Sequence, residues 1–107
     1  MQAFEHLYNT ITHRRDNPQA GSYTCYLFEQ GLDKTLKKLG EECAECIIAA
    51  KNADKAELVN ELSDLAFHAA VLMAQMGIEP SEIAAELGRR AQKVGNLKQF
   101  HQGDKNS

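Results

Sequence analysis

The sequence predicts an all-α domain of four to five helices, with two long central helices packing into a bundle. Two observations predict it. Apolar residues return at helical spacing in three long stretches, and helix breakers stand between them: Asn17-Pro18, Gly31, Asn52-Ala53-Asp54 and Gly77. A chain of 107 residues is enough for one core and not for two, so residues 1–95 are read as a single domain and 96–107 as a tail that is polar apart from Leu97 and Phe100.

Phe4, Leu7, Tyr8 and Ile11 recur at i, i+3, i+4 and i+7, which places an amphipathic helix over roughly residues 2–15. Asn17-Pro18 ends it. Residues 19–24 read as a hydroxyl-rich loop, with Thr24 as N-cap to a short turn through Tyr26, Leu27 and Phe28 that Gly31 closes. From Leu32 to about Asn52 the series Leu32, Leu36, Leu39, Cys43, Cys46, Ile47, Ala50 marks a long helix. Its opposite side gathers Lys34, Lys38, Glu41, Glu42, Glu45, Ala49 and Asn52. Asp54 and Glu57 are spaced as an N-cap and its N3 partner, opening a helix over about 55–76. Gly77 stops that helix, and Pro80 opens another that reaches roughly Lys93.

Composition narrows the function. A net charge of −3 with no basic stripe interleaved with aromatics argues against a nucleic-acid partner. No apolar run reaches the ~18 residues of a membrane span, and the N-terminus lacks a secretory pattern, so a cytoplasmic protein is expected, with no membrane partner. Cys25, Cys43 and Cys46 make an odd count, and no second Cys/His pair follows Cys43-x-x-Cys46 at zinc-site spacing. These thiols are read as small buried hydrophobes.

The chemistry is concentrated in acids. Glu41-Glu42-Cys43-Ala44-Glu45 and Glu61-Leu62-Ser63-Asp64 each place carboxylates three apart, one turn above another on a helix. Packed side by side, the two helices would gather Glu42, Glu45, Glu61 and Asp64. That much negative charge calls for a cation, and oxygen-only ligands suit Mg²⁺ or Mn²⁺. The plain alternative is a solvated face, with Lys38 four residues before Glu42 as an ion-pair partner. Against it stands the helix at 55–76, apolar except for a narrow stripe of Glu57, Glu61, Asp64, His68 and Gln75. Acids confined to such a stripe do not lie on a freely solvated surface.

The segments Gly21-Ser22-Tyr23-Thr24, Leu27-Phe28, Lys38-Leu39-Gly40-Glu41-Glu42-Cys43-Ala44-Glu45, Ala49-Ala50-Lys51-Asn52 and Glu61-Leu62-Ser63-Asp64-Leu65 with His68 resemble the phosphoribosyl-ATP pyrophosphatase family. It is one of the all-α nucleotide pyrophosphohydrolases that share EExxE followed by ExxD. The resemblance covers about residues 20–90. It implies Mg²⁺-dependent hydrolysis of 1-(5-phosphoribosyl)-ATP to phosphoribosyl-AMP and pyrophosphate in histidine biosynthesis. Glu42, Glu45, Glu61 and Asp64 are then the metal ligands. Glu41 is a further ligand, the acceptor of the attacking water's proton, or a surface acid. Lys38 contacts a phosphate or holds Glu42, and Ser22, Tyr23 and Thr24 donate to phosphate oxygens or cap a turn. His68 touches phosphate, orients a carboxylate or is a satisfied core histidine, the last being the favoured reading. Lys51 and Arg90 match positions suited to the ribose phosphates, although Arg90 in a last helical turn also complements the helix dipole. The cyclohydrolase domain that often precedes this one is absent, so a separate phosphoribosyl-AMP cyclohydrolase is expected to act next.

Two rival readings use the same residues: a broad house-cleaning nucleoside-triphosphate pyrophosphohydrolase, and a bundle that binds metal or a partner helix without chemistry. A di-iron bundle wants Glu-x-x-His, and no glutamate here has a histidine three residues later. The helix at 55–76 is apolar over too much of its circumference for one small chain to cover, and the family forms homodimers, so an obligate twofold homodimer is expected.

Overall fold

The computed structural model describes residues 2–93. Helix α1 (Gln2–Asp16) turns Tyr8 and Ile11 into the interior and ends where the Asn17 N–H donates to the His13 carbonyl at 2.8 Å. Helix α2 (Tyr23–Gln30) is longer than the single turn expected, and its N-cap is Ser22 rather than Thr24. The extended backbone of Ser22 aims its Oγ at the Cys25 N–H, 3.2 Å away, whereas Thr24 is already inside the helix and buried. Gly31, at φ 93°, takes a left-handed turn open to glycine, ends α2 and leads directly into α3 (Leu32–Lys51).

A three-residue turn joins α3 to α4 (Lys55–Met76), so the two long helices run back along one another. They form the most extensive helix pair in the chain. Asp54 Oδ1 accepts from the Glu57 N–H at 3.0 Å, the cap that the sequence spacing predicts. Gly77 closes α4 in the left-handed region, with its N–H on the Ala74 carbonyl and the Ile78 N–H on that of Met73 at 2.8 Å. Helix α5 (Pro80–Ala91) stops two residues short of Lys93. Its start carries a device the sequence reading passed over: the Glu79 N–H donates to Glu82 Oε2 at 2.8 Å. The described residues thus form five helices and no strand. No helix among them is long and apolar enough to cross a membrane. The tail placed at 96–107 lies outside the described residues.

The apolar core occupies one end of the molecule. Tyr8, Ile11 and Leu27 pack there with Ala70, Val71, Met73 and Ala74 from the second half of α4, and Phe4, Leu7, Phe28, Phe67 and Ile78 close around them. Where α4 faces α3, the acid-bearing sides of the two helices meet, as the spacing of the acids predicts. Thr35, Glu42, Cys46 and Ala49 are the buried residues of α3, while much of its apolar series lies outward: Leu36 is 44% exposed and Ile47 64%. Of the three cysteines expected to pack, Cys46 is buried, Cys25 is half-buried and Cys43 is exposed. The cause is the polar stripe of α4. Glu61 reaches Glu42 and Glu45 of α3, so α3 meets α4 with its acidic side, and among the described residues much of its apolar side is left uncovered.

Candidate metal-binding site

Glu42 and Glu45 stand one turn apart on α3, and Glu61 reaches them from α4. One carboxylate oxygen from each lies within 4.8 Å of the others. Glu42 and Glu61 are 7% and 8% exposed, so two of the three acids are shielded from water. Asp64, one turn after Glu61, is half-buried and close enough to Glu42 to act on it electrostatically, but stays outside the tight group of three.

Proximity and burial move the three carboxyls apart in acidity. Hydrogen bonding with Glu45 pushes the Glu61 carboxyl up to about 8, helped by burial and by Glu57. Burial, then Glu45 and Asp64, also raise Glu42. Glu45 moves the other way, its carboxylate favoured by hydrogen bonds from Glu61 and Glu42. Even so, Oε2 of Glu42 and Oε2 of Glu61 are buried with no hydrogen-bond partner among the described residues. Orphaned carboxylate oxygens beside like charges are costly, and an oxygen-seeking divalent cation removes both costs together.

A cavity of about 330 Å³ opens beside the acids, lined by Glu45, Ile48, Ala49, Asn52, Asp54, Glu57 and Glu61. Asn52, Asp54 and Glu57 line this cavity, although the sequence reading placed Asn52 and Glu57 only on the polar faces and made Asp54 only a cap, without a role at the site. Their signal was positional, since the break between the long helices must sit beside whatever the first turns of α4 carry.

The remaining candidates fall into two groups. Lys38 stays at the site, but its Nζ pairs with Glu41 at 3.3 Å and not with Glu42 four residues on. Glu41 is exposed and directed at that lysine, outside the acid cluster. His68 is 4% exposed, with Nδ1 2.8 Å from the Asp64 carbonyl oxygen and Nε2 3.0 Å from the Tyr23 hydroxyl, which ties α2 to α4. Phe67, unmarked in the sequence, and Tyr26, read there only as part of a turn, both stack on the Tyr23 ring. Ser22 caps α2 and receives a long contact from Arg14 Nη1 at 3.5 Å, while Thr24 is buried. Lys51 and Arg90 are not gathered in. Lys51 is exposed in the last turn of α3, and Arg90 pairs with Glu86 at 2.9 Å on α5, which among the described residues packs against α1 alone.

The family model described as phosphoribosyl-ATP pyrophosphohydrolase matches residues 4–91. Proteins called phosphoribosyl-ATP pyrophosphatase are similar over nearly their whole length. One from Streptococcus thermophilus is 48% identical over 87% of this chain and 89% of its own. One from Clostridium botulinum strain Hall is 52% identical over 86% and 84%, and one from Pelotomaculum thermopropionicum 55% identical over 81% and 89%.

Proposed function

This chain belongs to the phosphoribosyl-ATP pyrophosphohydrolase family, and from that premise we propose that it hydrolyses 1-(5-phosphoribosyl)-ATP to phosphoribosyl-AMP and pyrophosphate in histidine biosynthesis, with Mg²⁺ at the acid cluster. The observation that carries the reading is the meeting of Glu42, Glu45 and Glu61 with two orphaned, buried carboxylate oxygens. Oxygen-only donors fit Mg²⁺, with Mn²⁺ as a substitute, and disfavour softer metals. Glu42, Glu45, Glu61 and Asp64 would hold the ion. Bound there, it would neutralise charge on the leaving pyrophosphate and acidify the attacking water.

The protein's own residues supply the rest. Water attacks the α-phosphorus, the bond from that phosphorus to the bridging oxygen breaks, and pyrophosphate leaves with the bonding pair. Lys38 lies beside the acids with an ammonium suited to phosphate oxygens, and its partner Glu41 is the carboxylate left outside the ligand set, available to take the water's proton. The cavity beside the acids gives the leaving group room.

The same proposal includes a twofold homodimer built on α3 and α4. Leu32, Leu36, Ile47 and Ile48 on α3 and Val59, Leu62 and Met76 on α4 are all exposed in the single chain. So many large apolar side chains on adjoining helices support a surface that a second copy covers. The test of the function is pyrophosphate release from phosphoribosyl-ATP, and a folded protein that releases none would refute it. A separate cyclohydrolase would consume the product.

A further inference from the structure

Helix α2 holds two aromatic rings that the single chain leaves open. Tyr23 is 44% exposed and Tyr26 41%, one turn apart, and among the described residues no other tyrosine or phenylalanine is exposed. Their ring centres lie 6.0 Å apart at 23°, and Phe67 of α4 stacks on Tyr23 at 5.9 Å and 29°, which carries the run of rings into the bundle. The outward aliphatic residues of α3 and α4 belong to the surface assigned above to a second copy. These rings stand elsewhere, on the polar stripe of α4, because the Tyr23 hydroxyl lies 3.0 Å from His68 Nε2.

A cavity of about 480 Å³, within the size range of small-molecule sites, opens against the pair. Tyr23 and Tyr26 line it together with residues 19–22, Cys25 and Glu29. No lysine or arginine lines it, so it suits a flat apolar or cationic group and not a phosphate. Lys34, whose Nζ lies 5.9 Å from the Tyr26 ring centre, stands outside the lining. The position fits a nucleobase. His68 follows Asp64 by four residues and Glu61 by seven, so the Tyr23 hydroxyl is anchored roughly 6 Å and 10 Å further along α4 than those acids. A nucleotide held by its phosphates at the acid cluster has its base one ribose away, over a span of that order.

We propose that Tyr23 and Tyr26 are the platform on which the purine base of the substrate stacks, with Tyr26 a specificity-determining residue. The inference rests on the function proposed above and deepens it. In phosphoribosyl-ATP a second ribose occupies N1, which blocks the Watson–Crick edge of the adenine and leaves the faces of the ring for recognition. Base–aromatic stacking uses those faces, and a purine offers more of them than the pyrimidines of dUTP and dCTP. Phe67 and His68 hold the Tyr23 ring from α4, so the platform is in place before substrate arrives.

Two measurements test it. The chain has three tyrosines, Tyr8, Tyr23 and Tyr26, so fluorotyrosine labelling gives one fluorine NMR signal for each, assigned by replacing each in turn with Phe. With Mg²⁺ present, α,β-methylene-ATP should move the Tyr26 signal, whereas tripolyphosphate, which has no base, should leave it in place. A Tyr26 signal that stays put with α,β-methylene-ATP, or moves equally with tripolyphosphate, overturns the proposal. The second measurement is kinetic. Tyr26→Leu keeps an apolar side chain and loses the ring. It should raise KM for phosphoribosyl-ATP about tenfold, within the worth of one base–aromatic stack, and Tyr26→Phe should recover most of that loss. Tyr26 lies outside the apolar core, so both variants are expected to fold. An unchanged KM in Tyr26→Leu, or a Tyr26→Phe as poor as Tyr26→Leu, also overturns it. Wild-type protein that releases no pyrophosphate refutes the proposed function instead, and the fluorine shifts then still decide whether a purine stacks on these rings.

Discussion

Glu42 on α3 and Glu61 on α4 face one another across the helix seam, both under a tenth exposed, each with an Oε2 that nothing satisfies. Two acids do not reach such a position by packing preference. Burial and mutual repulsion both oppose it, so the site costs stability in the metal-free chain, a cost that the proposed cation would offset.

The first prediction follows from that cost. Glu42→Gln, Glu45→Gln, Glu61→Gln and Asp64→Asn should each lower the rate of pyrophosphate release by at least about a hundredfold, since even residues supporting a metal ligand are worth tenfold to a hundredfold. Glu42→Gln and Glu61→Gln should also raise the Tm of the metal-free protein at alkaline pH, because each removes a carboxyl whose ionisation the fold opposes. Near-wild-type rates in two of the four variants would contradict the ligand assignment.

The second concerns pH. Glu61 sits at about 8 in the folded protein against 4.5 unfolded, chiefly through hydrogen bonding with Glu45, and Glu42 is raised as well. Between those values the native state holds a proton that the unfolded chain has released. Stability therefore declines as pH rises from about 5 to about 8. Glu45, shifted down, offsets part of this. Thermal melts of metal-free protein should show the decline, and Glu61→Gln or saturating Mg²⁺ should flatten it. A Tm that rises over this interval would count against the coupled acid cluster.

The fold and the acid motif were legible because periodic apolar residues and short-range stop signals carry them. Asp54 and Gly77 set the ends of α4 where the spacing put them. Facing was legible only through the acids. Periodicity names a helix's two sides without saying which meets its neighbour, and it was the pairing of Glu42 and Glu45 with Glu61 that set the acidic side of α3 against α4. Asp64 shows a second limit. Residues three apart share a face, yet it stands outside the group that Glu61 joins, because side-chain reach and not helical phase sets the last few ångströms.

The outward apolar side of α3 and α4 leads to the third prediction. Leu62, 48% exposed, lines a cavity of about 460 Å³ with Val59, Ala66 and the Phe4 and Leu7 side chains of α1. Sedimentation equilibrium at low micromolar concentration should give twice the chain mass of 11.9 kDa. Leu62→Glu should lower Tm and activity together, since both depend on a shared core. An active, stable monomer would contradict this.

Selectivity supplies the fourth. Turnover of phosphoribosyl-ATP should exceed that of dUTP and dCTP by orders of magnitude in kcat/KM. Comparable turnover of all three would favour a broad nucleoside-triphosphate pyrophosphohydrolase using the same acids.

The most direct measurement follows pyrophosphate release from phosphoribosyl-ATP by the purified chain after treatment with excess EDTA, then after Mg²⁺ is restored. The Glu42, Glu45 and Glu61 cluster predicts silence in EDTA and recovery with Mg²⁺, with Mn²⁺ able to substitute. Undiminished release in EDTA, or none from folded protein supplied with Mg²⁺, would contradict a metal-dependent pyrophosphohydrolase built on those acids.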